Sequence, residues 1–390
     1  MGYIFAIKVA VLIFPILAFI FTLPYILTQY HKYGSVSLYR SVIIFSFIFY
    51  MICIYFLVIL PLPDVADVGT QRFINLRPFN FVKDFMKESV LDVGDFSTYL
   101  PAMKQPCFYV VLFNVFMMVP FGIYLRYYFQ CGFKKTVILS LLLSIFFEFT
   151  QYTGIYFMYP GSYRLCDVDD LIQNTAGGML GYAVAGLAMK LLPSRDRIDR
   201  RAYDRGERVS GFRRFLMFMI DMLLLLINTT IIFAYSGFQY AYPVTFFVLY
   251  ILIPLVTHGR TIGSWIVNMK MDCPNKWGVR IVIRNIIIAV YYNIMPYAFL
   301  KLLGYTSHKN DVGLNLSGLA VILFGLVLFA SYMVQPIIVW ISGRAYYDKM
   351  MKVSFVSTVK RKNTIRSSME AEASMITDQN DGALSDDEFP

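Results

Sequence analysis

EFTQYTGIYFMYPGSYRLCDVDDLIQNTAGGMLGY, residues Glu148–Tyr182, decides how the chain is read. An apolar run, VILSLLLSIFF (137–147), leads into Glu148. A carboxylate inside such a run costs roughly 3 kcal/mol near a bilayer centre unless paired, and less toward the interface. Gln151 follows one helical turn on, on the same face. A loop with Arg164, Asp167, Asp169 and Asp170 comes next, and a second apolar run begins. Asp170, Asn174, Gly177 and Gly181 fall at i, i+4, i+7 and i+11, one stripe of a helix. Gly177 and Gly181 form a G-x-x-x-G, which admits close approach of another backbone. The stretch therefore predicts two membrane helices that carry acids and amides toward one end, joined by a charged loop.

The rest of the chain agrees with a membrane setting. Of its 390 residues 58% are hydrophobic and 15% charged, and the mean hydropathy is +0.58. These values lie outside soluble globular composition, and the apolar residues come in long blocks. The expected fold is an all-α, polytopic membrane helical bundle with about nine transmembrane helices in two domains. The net charge of +10 is spread through the loops between apolar runs, which speaks for topology and against nucleic-acid binding. Residues Met1 to Leu27 lack a basic n-region and read as a retained first span. The five cysteines have no metal spacing; Cys107 and Cys166 are placed on the same side, where a disulfide and two separate thiols are both open.

The nine runs lie near Ile4–Leu27, Ser41–Leu62, Phe108–Arg126, Thr136–Phe157, Leu171–Leu192, Phe215–Tyr235, Tyr242–Thr257, Ile281–Leu303 and Leu316–Ile341. If they simply alternate, the loops rich in Lys and Arg all fall on one side, expected to be the cytoplasm. The chain is then a multi-pass plasma-membrane protein, N-terminus outside and C-terminus cytoplasmic. Between the second and third runs, Phe81, Val82, Phe85 and Met86 have helical spacing and predict a short interfacial helix. VPFG (Val119 to Gly122) predicts a kink or helix end in the third run. Four parts are expected: residues 1–192, a first membrane domain of about five spans; 193–214, a solvated basic linker; 215–352, a second membrane domain of about four spans; and 353–390, a disordered tail.

The candidate ligand-binding set is Asn75, Asn114, Glu148, Gln151, Arg164, Asp167, Asp170 and Asn174, with Gly177 and Gly181 as helix-packing residues. A structural alternative pairs the buried acid with the loop arginine and so fixes two helices in register. As a binding site, an Arg beside amides suits a phosphate or carboxylate, and the acids suit hydroxyl or ammonium groups. No nucleophile or metal set accompanies Glu148 and Asp170, so no catalytic residue, metal or cofactor is assigned, and an envelope lipid-modifying enzyme is the weakest reading. His31, His258 and His308 are placed in three separate loops. In the second half, Arg214 and Asp221 share a face of the sixth run, and Arg344 and Asp348 are spaced for a helix-end pair.

Two resemblances follow from these residues. NLRPF (Asn75 to Phe79), Asn114, VPFG, Glu148 with Gln151, and RLCDVDDLIQNTAGGMLGY (Arg164 to Tyr182) resemble the VanZ-like family over roughly residues 1–192. The stretch IYFMYPGSY between Gly154 and Arg164 is longer than the family's usual link. The resemblance implies a Gram-positive cell-envelope role, linked to tolerance of teicoplanin-type lipoglycopeptides. The partners implied are membrane lipids and a lipid-linked wall precursor or a lipoglycopeptide. The second half resembles the RDD family through Arg214, Asp221, Gly259, Thr261, Gly263 and Asp348. It departs from that family at Ser264 and in the DKMMKVS that contains Asp348. That resemblance implies, as an alternative function, a secondary ion- or proton-coupled transporter.

Overall fold

A computed structural model describes residues 2–273, 276–308 and 316–360. The chain folds as two units: residues up to Thr22 with Leu38–Ile198, and Leu23–Ser37 with residues from Asp199 onward. The first helix, α1 (Gly2–Tyr33), contributes to both.

The first unit holds α2 (Leu38–Ile59), β1 (Ile74–Asn75), α3 (Asn80–Glu88), α4 (Tyr99–Met103), α5 (Pro106–Tyr127), α6 (Phe133–Tyr152), α7 (Gly154–Phe157), β2 (Cys166–Asp167) and α8 (Val168–Leu191). Pro106 opens α5 in the first turn, where a missing N–H costs nothing. The helix then runs through Pro120 without a break, so the end expected at VPFG is absent. Gly122 has a different use there. A Cβ on it would lie 2.1 Å from the Gly178 carbonyl oxygen, so the glycine lets α8 close on α5. The G-x-x-x-G of α8 faces the same helix: Cβ atoms at Gly177 and Gly181 would each lie 2.1 Å from a carbonyl oxygen, of Val115 and Val119. Gly178 turns toward α6, with Ser140 Oγ 2.0 Å from where a Cβ would stand. Helix α8 is thus clasped between α5 and α6 by small residues, the arrangement that gives close packing without a hydrophobic driving force. Ile54, Met118, Phe121 and Phe147 fill the space between α2, α5 and α6. The run expected to reach Phe157 stops at Tyr152. Gly154, Ile155, Tyr156 and Phe157 all have positive φ, so α7 is a left-handed turn.

The second unit holds α10 (Gly211–Ser236), α11 (Ala241–Phe246), α12 (Ile253–Val256), α13 (Ile262–Ile266), β3 (Met269–Asp272), α14 (Trp277–Ala289), α15 (Met295–His308), α16 (Leu316–Ser342), α17 (Tyr346–Met351) and β4 (Ser354–Ser357). Helix α9 (Arg195–Glu207) precedes them. π-Helical turns at Phe247–Leu252 and Val290–Ile294 join α11 to α12 and α14 to α15. The block 193–214, expected as a solvated linker, is mostly helical, because Ile198, Ala202 and Tyr203 give α9 a buried face. Arg213, within it, is fully buried. Its Nε donates to the Val267 carbonyl at 2.8 Å and its Nη1 to those of Gly34 and Gly206 at 3.2 and 3.0 Å. The expected tail also begins later than 353. Ser354–Ser357 pairs antiparallel with Met269–Asp272, and residues 361–390 lie outside the described residues. His31 ends α1 instead of lying in a loop, its Nδ1 2.9 Å from the Ile266 carbonyl; the side chain of His308 lies outside the described residues.

All nine apolar runs are helical among the described residues, which makes this an all-α membrane bundle. Among the described residues, six helices are long and apolar enough to cross a membrane alone, and up to seven if Val168–Leu191 and Arg195–Glu207, bent by 50°, count as one span. The other two fall short for stated reasons: α6 carries Lys134, Lys135 and Glu148, and Ala241–Val256 is shorter than a span.

Candidate functional site

The site is assembled in the first unit, where the end of α6, the start of α8, the middle of α5 and the loop carrying β1 meet. Parallel pairing of Asn75 with Asp167 in the β1–β2 ribbon brings the loop onto the start of α8. Ser162 reinforces it, its Oγ accepting from Phe73 N at 2.8 Å. Asp167 caps α8: its Oδ1 accepts from Asp169 N at 2.9 Å and from Asn75 Nδ2 at 3.0 Å. Glu148, from α6, accepts the Asp167 backbone N–H at 2.9 Å. Asp170 accepts from Asn114 Nδ2 at 2.8 Å, and the same amide reaches Gln173 Oε1 at 3.0 Å. Asn174 donates to Ser144 Oγ at 2.9 Å. These contacts form two neighbouring groups at the start of α8: Asn75, Glu148 and Asp167 in one, and Asn114, Asp170, Gln173 and Asn174 in the other, the last tied in through Ser144, whose Oγ donates to the Asp170 carbonyl at 3.3 Å.

Gln151 and Arg164 face elsewhere. Arg164 donates to the carbonyls of Val58 and Leu60, both at 2.9 Å, and Gln151 Nε2 lies 3.3 Å from the Val58 carbonyl. Both side chains satisfy the open carbonyls at the end of α2, which a helix cannot satisfy itself. The expected pairing of the loop arginine with the buried acid is replaced by this cap.

Sequence reading left Asp169 out of the candidate set. It is 3% exposed and receives Phe79 N at 2.6 Å and Phe81 N at 3.0 Å. Its carboxylate thereby caps α3 from another helix and meets the positive end of that helix dipole. Cys166, beside Glu148, has its thiol pushed up to about 11 by burial and by that carboxylate, so it stays protonated and unreactive at neutral pH. It and Cys107 are separate thiols. No group of three or more His, Cys, Asp or Glu among the described residues is arranged to hold a metal ion.

An open groove of about 720 Å³ runs along α3, α5 and the start of α8. Its lining includes the acids Asp84, Asp167, Asp169 and Asp170, the amides Asn75 and Gln173, and the cations Arg77, Lys83 and Lys87. Lys83 and Lys87 are four apart on α3, and Gln173 stands one turn from Asp170, so spacing alone marks them as neighbours of the set. The turn α7, between α6 and β2, is held in an unfavourable backbone. Each non-glycine left-handed residue costs roughly 1–2 kcal/mol. The hydroxyl of Thr153 accepts from Tyr156 N at 3.1 Å, and Ile155 packs against Ile59 and Tyr159.

Residues 47–189 match the VanZ/LLP1 family. Every contact of the site lies within this VanZ-like region. The curated Protein VanZ of Enterococcus faecium is 28% identical over 131 residues, 33% of this chain and 62% of that protein. The chain thus spans less than two thirds of the relative's length. No solved structure matches.

In the second unit, Asp348 accepts from Arg284 Nε at 2.7 Å and forms an ion pair with Arg214. Arg344, expected as its helix-end partner, is bypassed. Burial works against the Asp348 carboxylate, but Arg284 and Arg214 outweigh it and hold the group below the ordinary carboxylate range. Asp221 takes the Gly263 N–H at 2.7 Å.

Proposed function

We propose that the VanZ-like region is the ligand-recognising part of a plasma-membrane protein of the cell envelope, with its groove facing outward. The observation that carries this is the groove itself, whose lining combines three cationic side chains with carboxylates and amides. Its size falls in the roughly 300–1,000 Å³ range of small-molecule sites. A ligand that suits this mixed lining carries an anionic group together with hydroxyl or ammonium groups. A lipid-linked wall precursor has that chemistry, and so does the head of a lipoglycopeptide. Arg77, Lys83 and Lys87 take the anionic group, since Arg164 is spent on carbonyls. Asn75, Asp167, Asp170 and Gln173 take the hydroxyls, held in place by Asn114, Glu148 and Asn174. Bound at the outer leaflet, the protein lowers teicoplanin susceptibility by altering access at the surface. The outward orientation rests on the basic loops and the positive-inside rule.

The test uses a strain whose teicoplanin tolerance depends on this protein. Loss of one charge-assisted contact corresponds to about tenfold in binding. Asp167→Asn and Lys83→Glu should therefore lower the teicoplanin inhibitory concentration and leave vancomycin unchanged, at equal protein abundance on an immunoblot. Full tolerance in both variants would rule the groove out.

For the second unit we propose the RDD assignment. Arg214 and Asp348 lie 134 residues apart in sequence and meet as a buried ion pair, which supports their reading as signature residues. A transport role would run through Asp221. Reconstituted protein should then support a pH- or sodium-dependent flux that Asp221→Asn abolishes, and absence of any flux removes this reading.

A further inference from the structure

The second unit contains a cavity of about 90 Å³ whose occupant neither reading above names. Its wall includes Arg214, Asp221, Tyr250, Thr261, Arg284 and Gln335. Arg214, Tyr250 and Gln335 are only 4%, 4% and 5% exposed. Each carries a buried hydrogen-bonding atom without a partner: Nε and Nη1 of Arg214, Oη of Tyr250 and Nε2 of Gln335. Arg214 commits Nη2 alone, to Asp348, whereas Asp221 is engaged by the Gly263 N–H. Buried polar groups are paired in native proteins, and exceptions call for a water or an ion. The nitrogens among these can only donate, so what completes them is an acceptor. Two guanidinium groups on one wall repel a metal cation. Asp348 and Asp221 match their charge one for one, so no excess positive charge is left to hold a multivalent anion, and what draws an acceptor is the set of uncommitted donors. The volume is well under the roughly 300 Å³ of a metabolite pocket, and about three waters' worth of space.

We propose that this cavity is a binding site for a monovalent inorganic anion of halide or nitrate size, held by Arg214, Gln335 and Tyr250. The probe is sodium bromide titrated into the purified full chain in detergent. Gluconate, too large for the cavity, replaces bromide so that sodium and ionic strength stay constant. Bromide should raise the thermal unfolding midpoint saturably. The half-saturating concentration should rise about tenfold in Gln335→Leu, the loss of one hydrogen bond to a charged group. Tyr250→Phe should shift it in the same direction and carries the test if the leucine variant does not fold. Equal midpoints in bromide and gluconate would mean that water fills the cavity, and the proposal falls. Saturable stabilisation that neither variant weakens would put the anion elsewhere and overturn it equally.

Discussion

Asp169 carries more of the site's geometry than its neighbours Asp167 and Asp170. Its two oxygens hold the N–H groups of Phe79 and Phe81 at the start of α3, and α3 supplies Lys83 and Lys87 to the groove. Asp169→Ala removes the acceptor of both half-exposed donors, at about 0.5–1.5 kcal/mol each. The expected result is faster proteolysis within 80–88 of detergent-solubilised protein, with the rest of the chain still protected. Unchanged protection would mean that α3 is held by its packing on α5. The identity of the polar residues was legible in the sequence, since the i, i+4, i+7 stripe from Asp170 needs no tertiary knowledge. Their partners were not. Arg164 looks like an ion-pairing residue until α2, some hundred positions earlier, presents two unsatisfied carbonyls to it.

Among the elements, α8 is the most constrained. Gly177→Ala places a methyl against the Val115 carbonyl, where only backbone movement can relieve it. Overpacking of this kind costs about 1–3 kcal/mol. Gly186→Ala on the same helix is the control, because the nearest atom to its added Cβ is Arg126 Nη1 at 4.0 Å. Thermal midpoints should fall for the first and hold for the second; equal effects would mean that helix propensity, and no contact with α5, sets the response. Apolar periodicity carried the helices well, including α3 from Phe81, Val82, Phe85 and Met86. It failed at α9, whose apolar positions are sparse among arginines; at Pro120, of the kink or helix end expected, the end is absent and α5 continues to Tyr127. The strands β3 and β4 are four residues each and pair across 81 intervening positions, a distance at which local pattern says nothing.

At the scale of the whole molecule, the second unit is tied by Asp348, which no residue in the described chain exceeds in burial. Asp348→Asn leaves Arg214 and Arg284 without their counter-charge, and breaking a buried pair this way costs about 3–5 kcal/mol. Because the folded carboxylate sits below its unfolded value near 3.9, that contribution is present at neutral pH and disappears only as pH falls through the folded value. The midpoints of the wild-type chain and of the Asp348→Asn variant should therefore differ between pH 5 and 8 and converge only in stronger acid. A gap that closes already at pH 6 would show that another group sets it. The composition change near residue 193 lies close to the boundary at Ile198, but the share of α1 in each unit was not legible, because a single unbroken apolar run offers no mark at Thr22.

That sharing has a practical corollary for anyone who would split the gene. A cut after Ile198 yields a first fragment that carries off Leu23–Ser37, and a second fragment bereft of its own opening segment. The Arg213 guanidinium in that second fragment would lose the Gly34 carbonyl as an acceptor, so the fragment should need residues 23–37 restored, on a tether or as a separate peptide, before it folds.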